Sequence, residues 1–574
     1  MKNCQAQNKY KYFLAFGIIL FFFFAFSHSA FAGYVYYWVG NSDNTGVTSA
    51  KGNWDTRTNQ GCSGTGNATA APATQDNLHF VSSCTSNVAI DSALSVNNIY
   101  IDPGYTGTIT QNAGITVTMN SGFYQTSAAT YTATTGTFDN NGTFLLSAGT
   151  FTPPTTANTY AGNFFTVSGT GNYNIGATAT TTFDGGGGSN TVVTASGTLG
   201  GTVIINKSTG ANVFTVATGT TISLGNNATT RLSTNNVGSF VNNGTVLVGT
   251  GVWTVVTGIS SNYGTLTNNG SITNSGSNWV LTYTSFINNG TLTYGSGTIM
   301  TIDGNFTLGG TMTAASLTSL NIGANFTKNI ALDLSAVTTT FNNIFSSTVT
   351  ASGALGGTVI INKGAGYGIT FTVATGTTIS LGNNATSTLS TSGAGNLINS
   401  GTIIVGTGTW NVVGVSNNQG TLTNNGTITN SGSNWVLTAN LTNNATITYS
   451  GSALVINGNF IQNSIFTAPS LTALSVGYNF TQSGTFDLTG KTITFNGQSN
   501  STVTATAGVL GGTVVINKSG YNYSFTVATG TTINLGNNAT TTLSSTGLGS
   551  LINNGTIIVG TGTRILINSL DAIH

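Results

Sequence analysis

The stretch "GTLTNNGSITNSGSNWVLT" (264–282) returns as "GTLTNNGTITNSGSNWVLT" (420–438), with one substitution in nineteen residues. Both copies are filled with Thr, Asn, Ser and Gly, poor material for an ordinary globular core. In the first copy the apolar residues Leu266, Ile272 and Val280 lie six and eight positions apart. Each sits in a short run bounded by Asn-Gly, Asn-Asn or Ser-Gly, pairs that mark turns. A regular beat runs through the surrounding chain: Asn268 to Asn288, Asn305 to Asn325 and Asn459 to Asn479 are each twenty residues apart, and Asn424 to Asn443 nineteen. Three short strands and three turns in about twenty residues describe one coil of a parallel β-helix. Hairpin turns use the same Asn-Gly pairs, but hairpins give no reason for the beat.

A coil of this kind needs one or two inward aliphatic residues per side, because like residues in the coils above and below complete a narrow core. Thr and Asn suit it as ladders of identical side chains. Gly and Asn are expected at the corners for their tolerance of positive φ. Above the coil stands a longer repeat. "LGGTVIINK" ends at Lys207 and again at Lys363, and "LGGTVVINK" ends at Lys518. "FTVATGTTISLGNNAT" begins at Phe214 and Phe371, and its variant at Phe525. One module of about 155 residues therefore recurs, and the third copy breaks off near the C-terminus. Residues 106–574 would make about 23 coils at a rise of about 4.8 Å each.

Composition agrees with an all-β chain. Of 574 residues only 4% are charged, 10% are aromatic and 78 are Gly. All eleven acidic residues are Asp, whereas exposed helices are normally surfaced with Glu and Lys. The expected fold is an elongated parallel β-helix, a β-solenoid, with a small N-terminal β cap.

The first 32 residues read as an export signal. Lys2, Lys9 and Lys11 precede the apolar run "YFLAFGIILFFFFAF" (12–26), and Ala30 and Ala32 form the A-x-A pattern of a cleavage site. An uncleaved membrane anchor is the competing reading, but fifteen apolar residues fall short of the ~20 that span a bilayer, and no later segment is expected to cross a membrane as a helix. Removing 1–32 leaves nine Lys and Arg against eleven Asp, a formal net charge of −2. That balance argues against nucleic acid, whose binders gather Lys and Arg on one face. Cys62 and Cys84 are the cysteines left after removal, and in an exported protein such a pair is expected to form a disulfide rather than a metal site. No cofactor is implied.

Residues 33–105 differ in texture, with Trp38, Trp54, both cysteines, the Tyr34/Tyr36/Tyr37 cluster and five Asp. An open β-helix end exposes unpaired strand edges that must be covered, so this segment is expected to be a disulfide-braced cap. The sharper alternative is a small glycan-binding module with Trp38 and Trp54 as stacking platforms.

The "NNGTIT", "GNFT" and "FNG" repeats behind a signal peptide resemble the β-solenoid stalks of bacterial surface and secreted proteins, of the haemagglutinin-like adhesin or autotransporter-passenger type. The block "YYWVGN…KGNWDTRTN…DNLHF" (36–80) resembles the opening of many secreted bacterial repeat proteins. The resemblance implies an extracellular, cell-surface or secreted protein that meets glycans or proteins there. The chain departs from such proteins in having no "LPxTG" and no "NPNG"-type motif.

Catalysis has little to build on. A β-helix polysaccharide lyase or hydrolase would need paired carboxylates or a tuned His within reach of its substrate. Asp139, Asp184, Asp303, Asp333, Asp487 and Asp571 are thinly spread, and His79 and His574 each stand alone in the sequence. Asp303 in "IDGNF" is replaced by Asn457 in "INGNF", as a turn position would allow. Lys207, Lys363 and Lys518 are expected to keep a strand edge soluble. The leading expectation is a non-catalytic adhesin or structural stalk. A polysaccharide enzyme is the alternative, and ice or crystal-surface binding by Thr-rich faces is a third. Arg564 stands where Trp253 and Trp410 stand in the earlier modules, and the chain end suggests end-to-end self-association.

Overall fold

The computed structural model describes residues 33–40, 48–57, 62, 66–186, 190–233, 235–259, 263–330, 332–364, 368–383, 385–391, 395–407, 409–413, 420–506, 508–518, 522–537, 540–544, 549–561 and 565–568. The expected signal peptide at 1–32, together with Arg564 and the residues after 568, lies outside the described residues. No helix among the described residues is long and apolar enough to cross a membrane.

Among the described residues strands make the regular structure, apart from one 3-10 turn at Lys51–Asn53. They stack as a parallel β-solenoid of about 20 coils. The count falls below the expected 23 because many coils carry corner loops. Phe214 pairs with Phe240, and Phe240 with Leu266, so these coils are 26 residues long rather than 20. The chain divides into two units, Met1–Asn158 with Ser168–Asn174, and Thr159–Val167 with Ile175–His574.

In the first unit one face is a parallel ladder through Tyr36, Leu78, Ile99, Phe123 and Phe144. A second runs through Val88, Ile109, Tyr131, Phe151 and Tyr173. The third joins Leu94, Val117 and Phe138. The first ladder joins Ile99 to Phe123, on either side of residue 105. What differs at the start is the edge: Val35–Trp38 pairs in parallel with Asn77–Phe80 on one side and antiparallel with Trp54–Asp55 on the other. The antiparallel strand occupies hydrogen-bonding groups that would otherwise offer a template to another chain.

In the second unit the opening stretch forms most of one coil. Gly264–Asn268 supplies the first face, and Ser271–Thr282 turns a corner to supply the second and third. The inward residues climb in steps of twenty: Leu266, Phe286, Phe306 and Phe326 on the first face, and Ile272, Leu292 and Met312 on the second. The second module repeats this with Leu422, Leu441, Phe460 and Phe480. Strict alternation of side chains across a strand puts these residues inside and the intervening Thr outside. Each such residue is buried, all but Met312 completely, which at about 25 cal/mol per Å² stabilises the fold by ~1.5–3 kcal/mol per side chain. Phe286, Phe306 and Phe326 stack with centroids 5.3 and 5.1 Å apart and planes within 12°. Trp253 and Trp279, and their counterparts Trp410 and Trp435, meet edge to face at 4.7 and 4.9 Å. The tryptophans belong to the core.

The Asn-Asn-Gly turns work differently from the expectation. Their glycines, such as Gly244, Gly270 and Gly290, are not among the residues with positive φ. They allow close approach: a Cβ on Gly270 would lie 2.0 Å from the Gly244 carbonyl oxygen, and one on Gly290 would lie 2.0 Å from that of Gly270, although Ala445 and Ser464 stand at the equivalent position in two turns of the second module. The first Asn of each turn points inward and forms a file, Asn242 Nδ2 donating to Asn268 Oδ1 at 2.8 Å and Asn268 Nδ2 to Asn288 Oδ1 at 2.7 Å. Each amide also donates to a backbone carbonyl of the next coil, as Asn268 does to Thr291 O at 3.0 Å. The second Asn points outward and forms a separate file, Asn289 Nδ2 donating to Asn269 Oδ1 and Asn269 Nδ2 to Asn243 Oδ1. The second module builds the same inner file from Asn399, Asn424, Asn443 and Gln462. A buried amide left unpaired costs about 1–3 kcal/mol, and the stack removes that cost by letting identical coils satisfy one another.

Candidate functional site

Trp38 and Trp54 face each other across the antiparallel pair that opens the first unit, with ring centroids 5.2 Å apart. Trp38 Nε1 donates to Ser86 Oγ at 3.0 Å and Trp54 Nε1 to Thr48 O at 3.0 Å. Both residues are 0% exposed. A sugar-stacking platform needs an open ring face, so the glycan-binding alternative for these two residues is corrected: they pack the first coils. Cys62 and Cys84 are joined by a disulfide.

His79, isolated in the sequence, is not isolated in the fold. Its Nδ1 lies 2.7 Å from Asp102 Oδ2, and its ring stacks on Tyr100 at 4.4 Å, which in turn stacks on Tyr124 at 4.9 Å. Parallel register carries this outward file from coil to coil, and the stacked ring faces cover one another.

The repeated lysines also differ from expectation. Lys207, Lys363 and Lys518 are 0% exposed, so they do not guard an edge. Lys363 Nζ donates to Ser347 Oγ at 2.5 Å and to Gly323 O at 3.4 Å, and Lys518 reproduces both bonds with Ser501 and Gly477. Burial lowers all three ammonium groups to a pKa of about 8, offset at Lys207 by the charge of Asp184. The carboxylates serve turns. Asp333 Oδ1 accepts from Ser335 N and Asp487 Oδ1 from Thr489 N; hydrogen bonding from the Ser335 side chain and backbone, and from the Thr489 backbone and side chain, holds both groups below the usual carboxylate range.

One cluster was not foreseen. At the corner between the third and first faces of the first module, positions 263, 283, 303, 323 and 343 follow one another at the coil period. Tyr263 packs edge to face on Phe345 at 5.8 Å. Asn343 Nδ2 donates to the Tyr263 hydroxyl at 3.1 Å and to the Asp303 carbonyl at 3.4 Å. Asp303 Oδ2 accepts from Tyr283 N at 3.1 Å, while desolvation pushes the carboxyl up from its ordinary value. Tyr283 has φ +49°, a conformation costing a bulky residue of order 1 kcal/mol or more. Tyr283 and Phe345 are exposed, at 36% and 38%. The signal available in the sequence was the mismatch between modules, of which only Asp303 against Asn457 was read.

The fold defines this chain as a parallel β-solenoid. No protein-family model matches it, and no curated protein or solved structure matches it either.

Proposed function

We propose that this protein is an exported, non-catalytic β-solenoid acting as an adhesin or a structural stalk at the cell surface or in the extracellular matrix, where its partners are glycans or proteins. The observation that supports this reading is the repetition of one uncharged surface. Along the first face the outward positions are Thr267, Ile287, Thr307 and Thr327 in one module and Thr423, Thr442, Ile461 and Thr481 in the next, all in register. Outward Asn files run beside both, with Asn425, Asn444 and Asn463 in the second module. Identical weak contacts at a fixed spacing act together, and linking them raises avidity without requiring any one to be strong. The signal-like residues 1–32 and the low charge fit an exposed, secreted surface protein.

Attachment of the mature chain (33–574) to intact bacterial cells and to immobilised extracellular polysaccharide tests this. Retention that grows with the number of modules is the expected result. Turnover of any polysaccharide in a hydrolase and lyase panel, or the absence of retention on every surface, overturns it.

A further inference from the structure

The corner cluster of the first module is a second kind of surface from the repeated faces, and the chain contains its own control. In the sequence of the second module the counterparts of these residues differ: Gln419 stands for Tyr263, Asn457 for Asp303, Gly497 for Asn343 and Ser499 for Phe345. Tyr283 occupies a one-residue insertion, since "WVLTYTSFINN" becomes "WVLTANLTNN". The earlier corner that follows Phe183 reads "DGGGGSN" and carries no aromatic residue. The ladders on either side keep the same register, Phe326 over Phe306 in one module and Phe480 over Phe460 in the other. The flanking ladders therefore stack without two tyrosines, a phenylalanine and a carboxylate at these positions, and their presence in one module answers to something other than ladder register.

From that contrast and the geometry, we propose that Tyr263, Tyr283, Asp303, Asn343 and Phe345 form a binding site for a neutral pyranose unit of a glycan. Exposed aromatic rings offer the flat apolar faces that sugar C–H groups cover. The Asp303 carboxylate, whose Oδ1 accepts no hydrogen bond among the described residues, and the Tyr263 hydroxyl supply the acceptor and donor that adjacent sugar hydroxyls need. Lys363, bonded to Gly323 of the same corner file, is fully buried and donates its ammonium to Ser347 and Gly323. With one carboxylate and no exposed cation in the cluster, an acidic sugar is repelled and a neutral one is not. The left-handed Tyr283 backbone fits a strained residue held for a ligand. This deepens the attachment reading and rests on it only for the setting in which glycans are met.

The test uses the mature chain and a panel of neutral oligosaccharides of glucose, galactose, mannose and N-acetylhexosamine, with uronic-acid oligomers as the charged comparison, read by isothermal titration calorimetry. The triple variant Tyr263→Gln, Asp303→Asn, Phe345→Ser installs residues that the second module already tolerates, and circular dichroism confirms that its strands are intact. Wild type is expected to bind a neutral oligosaccharide. The triple variant should bind at least about tenfold more weakly and Asp303→Asn alone severalfold, the scale of one lost charge-assisted hydrogen bond. Binding that survives the triple substitution, binding confined to uronic acids, or no binding to any member overturns the proposal. Cell attachment is measured on the same proteins. Attachment with no sugar binding at the cluster removes this site and leaves the attachment reading standing, whereas loss of attachment by wild type removes that reading independently.

Discussion

Lys207, Lys363 and Lys518 show how much a single residue can add to a chain so poor in charge. Each is enclosed by the coils around it, and burial disfavours the ammonium form. An unfolded lysine holds its proton to about 10.5, whereas these hold theirs to about 8. Between those values the unfolded chain binds more protons than the folded one, so stability rises with pH. The penalty is whole below pH 8 and fades above it. Melting temperature is therefore expected to climb from pH 7.5 to pH 9.5, and Lys363→Met to reduce that climb by about a third while leaving the protein at least as stable at pH 7.5. Above pH 10 the trend reverses, because burial raises the phenols of Tyr105, Tyr294 and Tyr449 and the unfolded chain ionises first. A melting temperature that falls steadily from pH 7.5 would contradict this account of the lysines.

Among elements, the stacked turn separates two neighbouring asparagines by role. Asn268 lies in the buried file and Asn269 in the exposed one. Asn268→Ala leaves Asn288 Oδ1 without its donor and is expected to cost ~1–3 kcal/mol, while Asn269→Ala stays within about 0.5 kcal/mol. Urea denaturation together with hydrogen exchange at 264–294 measures both; equal effects would show that the files do not differ. The coil was legible in the sequence because strand alternation and a twenty-residue beat act on the same positions. The work of the glycines was not, since close approach of stacked carbonyls depends on which turn lies beneath, and Gly270 reads the same as a residue chosen for positive φ. The burial of Lys363 escaped for a similar reason: "INK" at a strand end looks like an edge guard until the coils close over it. The fate of Trp38 and Trp54 turned on the antiparallel strand that pairs them, which no local pattern announces.

For the molecule as a whole, the module is the unit of change. In stacked repeats each coil contacts only its neighbours, so a cut that joins equivalent points should heal. Deleting 269–424 joins Asn268 to Asn425 and restores "TLTNNGTITN". The shortened chain is expected to keep its strand content per residue and to melt within a few degrees of the parent. Extending the cut by ten residues, to 269–434, puts Trp435 where an Asn turn belongs, and that product should aggregate. Folding of both, or of neither, would mean that module register does not govern the stack. The same arithmetic exposes the corner cluster, whose residues become conspicuous only when two modules are laid against each other position by position.

The paired asparagines carry one more consequence. The inward amides donate toward the C-terminal coil, Asn242 to Asn268 to Asn288, and the outward amides donate the other way, Asn289 to Asn269 to Asn243. An α-helix aligns its peptide dipoles and accumulates charge at its tips; here two antiparallel strings of side-chain dipoles run back to back and largely cancel. Coils can thus be added along these strings without building up an electrical cost of length, a form of growth that suits a chain with almost no charges to screen it.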